Sequence, residues 1–526
     1  MATLLTASRS PFSFAAQRSP LAVASPAGAR PEYRSLSHWM NRVLEELGDL
    51  QSSPDPDTVH DLRVAIRRCR SLGAVLEEVD PDPAWPEMRK IARKLFRGLG
   101  ALRDAQVLEE WIKKLGPEND PLGAEILASL ESNEKQRSEE ALRVAAKFDE
   151  KKWSSLEQKL RKRVRLVPVG GLVAECLALE RFEEAKELHI RALRTEKSKP
   201  WHGLRIGIKR FRYTLESLLP DHYAAWSENL KRLQDILGEV HDLDVVLETV
   251  DEAKSSASRE SRQGWQEIIT HECRERIETY RQLTLGKTSL WHEWRHNLPH
   301  RERLEAAVTA RFRATARAAD RHSRRTALVS RIAVRVFEVL RRADAAPMLH
   351  DARMRRLMHA AAKLHGVRTV GDRNLTPKAA RKFLLTLTVP PNWTAEEWDV
   401  MAWAIRFHRG PEPEQKNGFA KLSGDQQAAV RAMAGVLRLA RALRKSGLES
   451  AVGLRCDQSD DAELLSVPGL IDTAEIAARL AAAKHLLESV LEKPLILKTA
   501  PKPVKASRPV EHPFEQPLVP ASNHPI

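Results

Sequence analysis

Cysteine is scarce in this 526-residue chain: Cys69, Cys176, Cys273 and Cys456 lie far apart, and no two have C-x-x-C spacing. That pattern excludes a zinc knuckle or a disulfide framework and fits a reducing cytoplasm. Aromatic residues make up only 5%, which argues against a stacking platform for single-stranded nucleic acid. No apolar run approaches the ~18 residues of a membrane span. Glycine-rich phosphate loops are missing as well. Gly286-Lys287-Thr288 imitates the end of a Walker A loop, but Arg281 stands at its first glycine and no apolar strand precedes it.

Basic charge and an internal repeat are what the chain has in quantity. Lys and Arg number 86 against 71 Asp and Glu, a formal net charge of +15, so polyanions are the partners to consider. His60-Asp-Leu-Arg63-Val-Ala-Ile-Arg67-Arg68-Cys-Arg70 recurs as His202-Gly-Leu-Arg205-Ile-Gly-Ile-Lys209-Arg210-Phe-Arg212. At about 100° per residue, His60, Arg63, Arg67 and Arg70 fall within a helical arc of roughly 80°. Leu62, Ile66, Cys69 and Leu76 fall opposite. In the second copy His202, Arg205, Lys209 and Arg212 share one face, with Leu204, Ile208, Phe211 and Leu215 on the other. A solvated face normally interleaves both signs at i,i+4. These rows have only Asp61 in the first turn, so each helix is expected to bury one side and offer a line of cations to a linear polyanion.

The repeat extends further. Leu99-Gly100-Ala-Leu-Arg103-Asp104 is answered by Leu237-Gly238-Glu-Val-His241-Asp242, so each half is read as a basic helix, a connection, a Leu-Gly-x-x-x-Asp helix and further helices. Thr58 is read as the N-cap of the first basic helix and Lys199-Pro200 as the start of the second. Residues 1–30 hold three Arg and no acid and are read as a disordered arm rather than a transit peptide. Additional cations at Arg89, Lys90, Arg93, Lys94 and Arg97 are candidates to lengthen the site. The basic runs 159–165 and 191–199 are weaker ones.

The duplicated His-x-x-Arg-x-x-x-[Arg/Lys]-Arg-x-Arg rows, each followed by Leu-Gly-x-x-x-Asp, resemble the conserved histidine α-helical (CHAD) domain over residues 31–295. That resemblance implies two four-helix bundles about a pseudo-twofold axis, with His60, Arg63, Arg67, Arg68, Arg70, His202, Arg205, Lys209, Arg210 and Arg212 lining a groove for inorganic polyphosphate. The expected setting is that of a bacterial-type cytoplasmic protein, with polyphosphate granules as a candidate association that the sequence does not decide.

Residues 296–320 read as a helical connector, 321–495 as a second helical domain and 496–526 as a disordered tail. The order of His322, Ala361-Ala-Lys-Leu-His365-Gly366, Trp403-Ala-Ile-Arg-Phe-His408 and Leu437-Arg-Leu-Ala-Arg441 resembles the HD-like C-terminal domain of the exopolyphosphatase/guanosine pentaphosphatase family. A working HD phosphohydrolase needs carboxylates with its histidines on a divalent metal. Here Gly366 and Arg441 stand where two of those carboxylates would be, so His322, His365, His408 and Arg441 read as a vestigial site with no metal and no cofactor. Glu412-Pro-Glu414-Gln-Lys416 spells a motif of triphosphate tunnel enzymes, but it carries a proline in a loop where a strand is needed. The expectation is an all-α, non-catalytic polyphosphate binder, whose second half adds an anion surface or a homodimer contact. The alternatives are a phosphohydrolase acting through an atypical HD-like domain and a nucleic-acid-binding protein.

Overall fold

The structure, a computed structural model, describes residues 35–52, 56–117, 120–195, 197–253, 259–319, 323–367, 376–413 and 417–501. The arm at 1–30, His322 and most of the tail lie outside the described residues.

The chain is all-α apart from one small sheet. The first repeat contains α1 (Leu36–Ser52), α2 (Pro56–Glu77), α3 (Ala84–Gly98), α4 (Gly100–Leu115), α5 (Pro121–Ser132), α6 (Glu134–Ala146) and α7 (Glu150–Arg163). The second contains α8 (Leu172–Leu193), α9 (Ser198–Leu218), α10 (Pro220–Glu252) and α11 (Arg259–Thr284). The basic rows are α2 and α9. Helix α2 starts at Pro56, so Thr58 lies inside its first turn, where proline is also at home. Helix α9 starts at Ser198, with Pro200 in its first turn.

The apolar backs of the two basic helices form the core. Leu62, Ile66, Cys69 and Leu76 in α2, and Leu204, Ile208, Phe211 and Leu215 in α9, are all buried. Helix α2 packs between α1 and α3, α9 between α8 and α10, and α2 also touches α9. Gly207 permits the tight α8–α9 approach, because a Cβ there would stand 2.8 Å from Leu188.

The two Leu-Gly-x-x-x-Asp stretches are not alike. In the first copy the helix is interrupted at Leu99, which closes α3 and opens α4. In the second, α10 runs unbroken for 33 residues. Gly98 sits just before the break, where a Cβ would meet Val144 of α6 at 2.4 Å. The corresponding position in α10 is Ile236. Helices α4 and α10 pack on each other, and with α5 and α11 they enclose a separate small core around Trp111, Leu243, Val246 and Trp265.

Beyond α11 come α12 (Leu290–Asn297), α13 (Arg301–Ala319), α14 (Ser323–Arg342), α15 (Ala352–Leu364), α16 (Pro377–Leu384), α17 (Ala395–Phe407) and α18 (Gly424–Lys445). The stripe Val329, Ile332, Val336 and Leu340 of α14 is buried. The expectation of a wholly helical second half needs one correction. Strands β1 (Arg455–Gln458), β2 (Glu463–Pro468) and β3 (Leu495–Ala500) form a sheet in that order, β1 antiparallel and β2–β3 parallel. Helix α19 (Ala474–Leu491) makes the crossover between β2 and β3. Strand β3 runs through residues that read as the start of the tail. Strands of four to six residues give too short an alternation to stand out beside long helices.

One apolar core runs from Leu36 to Leu495 through both halves of the chain. Helix α13, read from sequence as a connector, lies against α8. Its Arg311 is buried and donates to Glu180 at 2.5 Å and to the carbonyl of Thr388 at 3.1 Å. Burial pushes the Glu180 carboxyl up even beside this guanidinium. Removing one partner of a buried pair strands the other. Arg311→Met is therefore expected to cost about 3–5 kcal/mol in urea unfolding, and Arg311→Met with Glu180→Leu to recover more than half of that loss.

Candidate polyanion-binding groove

Packing the backs of α2 and α9 into the core turns both basic rows toward one groove of about 1230 Å³. His60, Arg63, Arg67 and Arg70 line it from α2, and His202, Arg205, Lys209 and Arg210 from α9. The Leu-Gly-x-x-x-Asp helices bring Arg103 and Asp104 from α4, and His241 and Asp242 from α10. These four were quoted above only as marks of the repeat. The repeat was also their signal, because residues kept at one offset beside two basic rows share the axis of those rows.

Carboxylates are outnumbered here. Asp104 stands 3.5 Å from Arg63. No ion pair within 4.0 Å joins Arg67, Arg205 or Lys209 to any acid among the described residues, and the buried Nε atoms of Arg67 and Arg205 have no hydrogen-bond partner among them. Burial and the neighbouring guanidiniums of Arg205 and Arg67 push the Lys209 ammonium down to about 7. Arg63 and Arg205 are lowered in the same direction, chiefly by burial. The histidines respond alike. His202 and His241 meet through their Nδ1 atoms at 3.2 Å, one donating to the other. Burial, with Arg205 next, pushes His241 down to about 4. His60 is lowered by burial and then by Arg103.

The remaining cations divide. Phe96 carries Arg63 at 4.3 Å and Arg70 at 5.0 Å from its ring centroid, and so orients both. Arg68 turns out of the groove, ion-paired with Glu216 and stacked on Tyr213 at 4.2 Å. Arg212 is held by Gln234 at 3.0 Å and Tyr223 at 3.3 Å, also outside. Arg210 lines the groove but pairs with Glu184 at 2.5 Å. Of the cations considered for lengthening the site, Arg89 lines it and pairs with Glu77. Lys90, Arg93, Lys94 and Arg97 do not line it; Arg93, Arg89 and Arg97 act on Arg70 through their charge.

In the second half, His365 and His408 end α15 and α17 with their rings 5.6 Å apart. Both are buried. Each Nδ1–H donates to its own helix, His365 to Ala362 at 2.8 Å and His408 to Ile405 at 2.5 Å. His408 Nε2 accepts from Arg409 at 3.1 Å. Burial, then His365, holds His408 well below its ordinary value, with Arg441 contributing. The Nε2 of His408 is thus taken up by a guanidinium. Among the described residues no group of three or more His, Cys, Asp and Glu is placed to hold a metal ion.

Fold and site together define a helical protein with an internally duplicated, cation-lined groove. Residues 27–251, a little under half of the chain, match the family model of the CHAD domain. The match ends in the last turn of α10. Among solved structures, the CHAD domain from the plant Ricinus communis is similar at 20% identity, covering 50% of this chain and 90% of that one, with a TM-score of 0.35. No curated protein matches the chain. No helix among the described residues is long and apolar enough to cross a membrane.

The crowding of Lys209 has a measurable sign. A lysine whose folded value lies near 7 and whose unfolded value lies near 10.5 binds fewer protons folded than unfolded between those limits, so its contribution rises with pH across that window. Lys209→Met is expected to raise the melting temperature at pH 7 by about 2 °C and to gain nothing above pH 10.5, as differential scanning calorimetry across pH would show.

Proposed function

We propose that the groove binds inorganic polyphosphate without hydrolysing it. The observation that carries this reading is the set of Arg67, Arg205 and Lys209, half-buried, facing one cavity and lacking a counter-ion among the described residues. Folding has taken these charges partly out of water without pairing them, and an unpaired charge in that setting is costly until an anion arrives. A linear polyanion suits the geometry. Along α2, His60, Arg63, Arg67 and Arg70 repeat about every 5 Å, and guanidinium forks grip successive phosphoryl oxygens. The CHAD match over α2, α9 and α10 supports the same ligand class.

Absence of hydrolysis is proposed on the chemistry of the two sites. Phosphoryl transfer to water needs a base or a metal-bound hydroxide near the phosphorus. Among the described residues no group of three or more His, Cys, Asp and Glu in the groove is placed to hold a metal ion, and the His365–His408 pair lies outside its lining. We read the second half as an HD-like helical domain that has kept its histidines as packing residues. Nucleic acid, the other polyanion, fits less well, because among the described residues the Phe, Tyr and Trp side chains lining the groove are Phe96, Tyr213 and Phe383, and Phe96 is already covered by Arg63 and Arg70.

Purified protein is expected to shift long-chain polyphosphate on a native gel and to leave its length unchanged on a denaturing gel with Mg²⁺ or Mn²⁺. A variant with Arg63→Ala, Arg67→Ala, Arg205→Ala and Lys209→Ala should lose the shift. The salt dependence of wild-type binding should have a log–log slope on the order of −3. Affinity should fall as pH rises through 7, because bound phosphate favours the charged form of Lys209. Metal-dependent shortening would make the protein a phosphatase, and equal competition by RNA would make it a nucleic-acid binder.

A further inference from the structure

Residues outside the CHAD match shape the groove. Phe383 at the end of α16, and Thr386 and Leu387 just after it, line the cavity beside the C-terminal end of α2. They are fastened there by a chain of contacts: Glu78 accepts from the backbone N–H of Thr388 at 2.9 Å, and it also pairs with Arg181 at 3.4 Å and Arg311 at 3.7 Å. Arg311 in turn donates to the Thr388 carbonyl.

The groove therefore changes character along its length. From His60 to Arg70, about 15 Å of α2, it is lined by cations. From there to Glu78, about 12 Å more, the lining is Ala74, Val75, Pro81, Pro83, Phe383 and Leu387. The cations of that section are already matched, Arg89 by Glu77, Arg181 by Glu78 and Glu184, and Arg210 by Glu184. A phosphate chain running through it would shed water from its charges against apolar walls and carboxylates, with no unmatched cation among the described residues in return.

We propose that the segment carrying Phe383, Thr386 and Leu387 is an end stop, so that the groove takes a terminus of a polyphosphate chain and not its middle. The proposal rests on the polyphosphate reading above and narrows it to chain ends. Electrostatics favour the same choice. A terminal phosphate, like a phosphomonoester, carries close to two negative charges at neutral pH, whereas an internal one carries about one. The cluster of Arg67, Arg205 and Lys209, with no acid paired to it, suits the more highly charged group.

Stoichiometry tests this. Linear polyphosphate fractions of three defined lengths are saturated with the full-length protein, and the number of protein molecules per chain is read by sedimentation velocity. At most two per chain, whatever the length, is expected. Occupancy that grows in proportion to length overturns the end stop and leaves the polyphosphate reading standing; no binding at any length overturns both. In competition, inhibition curves for the three fractions should coincide when plotted against chain ends. Curves that coincide against total phosphate instead would also overturn it. A Phe383→Ala, Leu387→Ala variant, checked for folding by its melting temperature, should bind the shortest fraction within threefold of wild type while its occupancy on the longest rises above two. Occupancy unchanged in that folded variant would overturn the assignment to this segment, and if the variant does not fold, the wild-type stoichiometry decides.

Discussion

The groove exists because two helices are held by their apolar backs while their charged fronts repel. Leu62, Ile66 and Cys69 on α2, and Leu204, Ile208 and Phe211 on α9, are fully buried, and each such side chain contributes about 1.5–3 kcal/mol of burial. That is enough to hold Arg67, Arg205 and Lys209 within reach of one another without acids between them. The depressed Lys209 ammonium registers the repulsion. Among the described residues Asp242 eases Lys209 and Arg205, and Asp104 eases Arg63 and Arg205. Binding strength and structural tension are thus one quantity seen from two sides: the unsatisfied charge that destabilises the free protein is the charge an anion would satisfy.

Most of this was legible in the sequence, for a physical reason. A helix with cations at i, i+3, i+7 and i+10, and apolar residues on the other side, has only one way to pack, and a second copy at a constant offset shows that the pattern is not an accident of composition. Arg68 was less legible. It lies one residue, or about 100°, beyond Arg67, and its place was decided by Glu216 and Tyr213, 145 or more positions away in the chain. Arg212 lies within its row, yet Gln234 and Tyr223 of α10 draw it aside. The Phe96 position corresponds to Gln234 at the offset of the Leu-Gly motif, so Arg70 and Arg212 are both steadied by the next helix, one by a ring and the other by an amide.

The second half was legible in its helices and not in its bearing on the site. Its apolar stripes showed where α14 and α18 would bury, but nothing local to Phe383, Thr386 or Leu387 says that they reach the groove. That placement comes from Glu78, Arg311 and the backbone of Thr388, of which the first and last are 310 positions apart. The strands were missed because each is short, and because β2 and β3 pair across α19, whose helical pattern dominates the stretch. His365 and His408 were read together with His322 and Arg441 as one vestigial site, and their order in the sequence carried no information on burial. Each caps its own helix through Nδ1, which removes one ring nitrogen from other use.

The bond between the halves has consequences for how the groove works. Glu78 is both a groove residue and the acceptor that fixes Thr388, so the shape of the apolar end depends on a carboxylate whose other partners, Arg181 and Arg311, belong to α8 and α13. A disturbance of α13 would therefore be felt at the far end of the groove, while the cationic end, built from α2, α4, α9 and α10, would keep its lining. The two ends answer to different parts of the chain: the duplicated helices carry the cations of the groove, and the second half supplies Phe383, Thr386 and Leu387 to its apolar end.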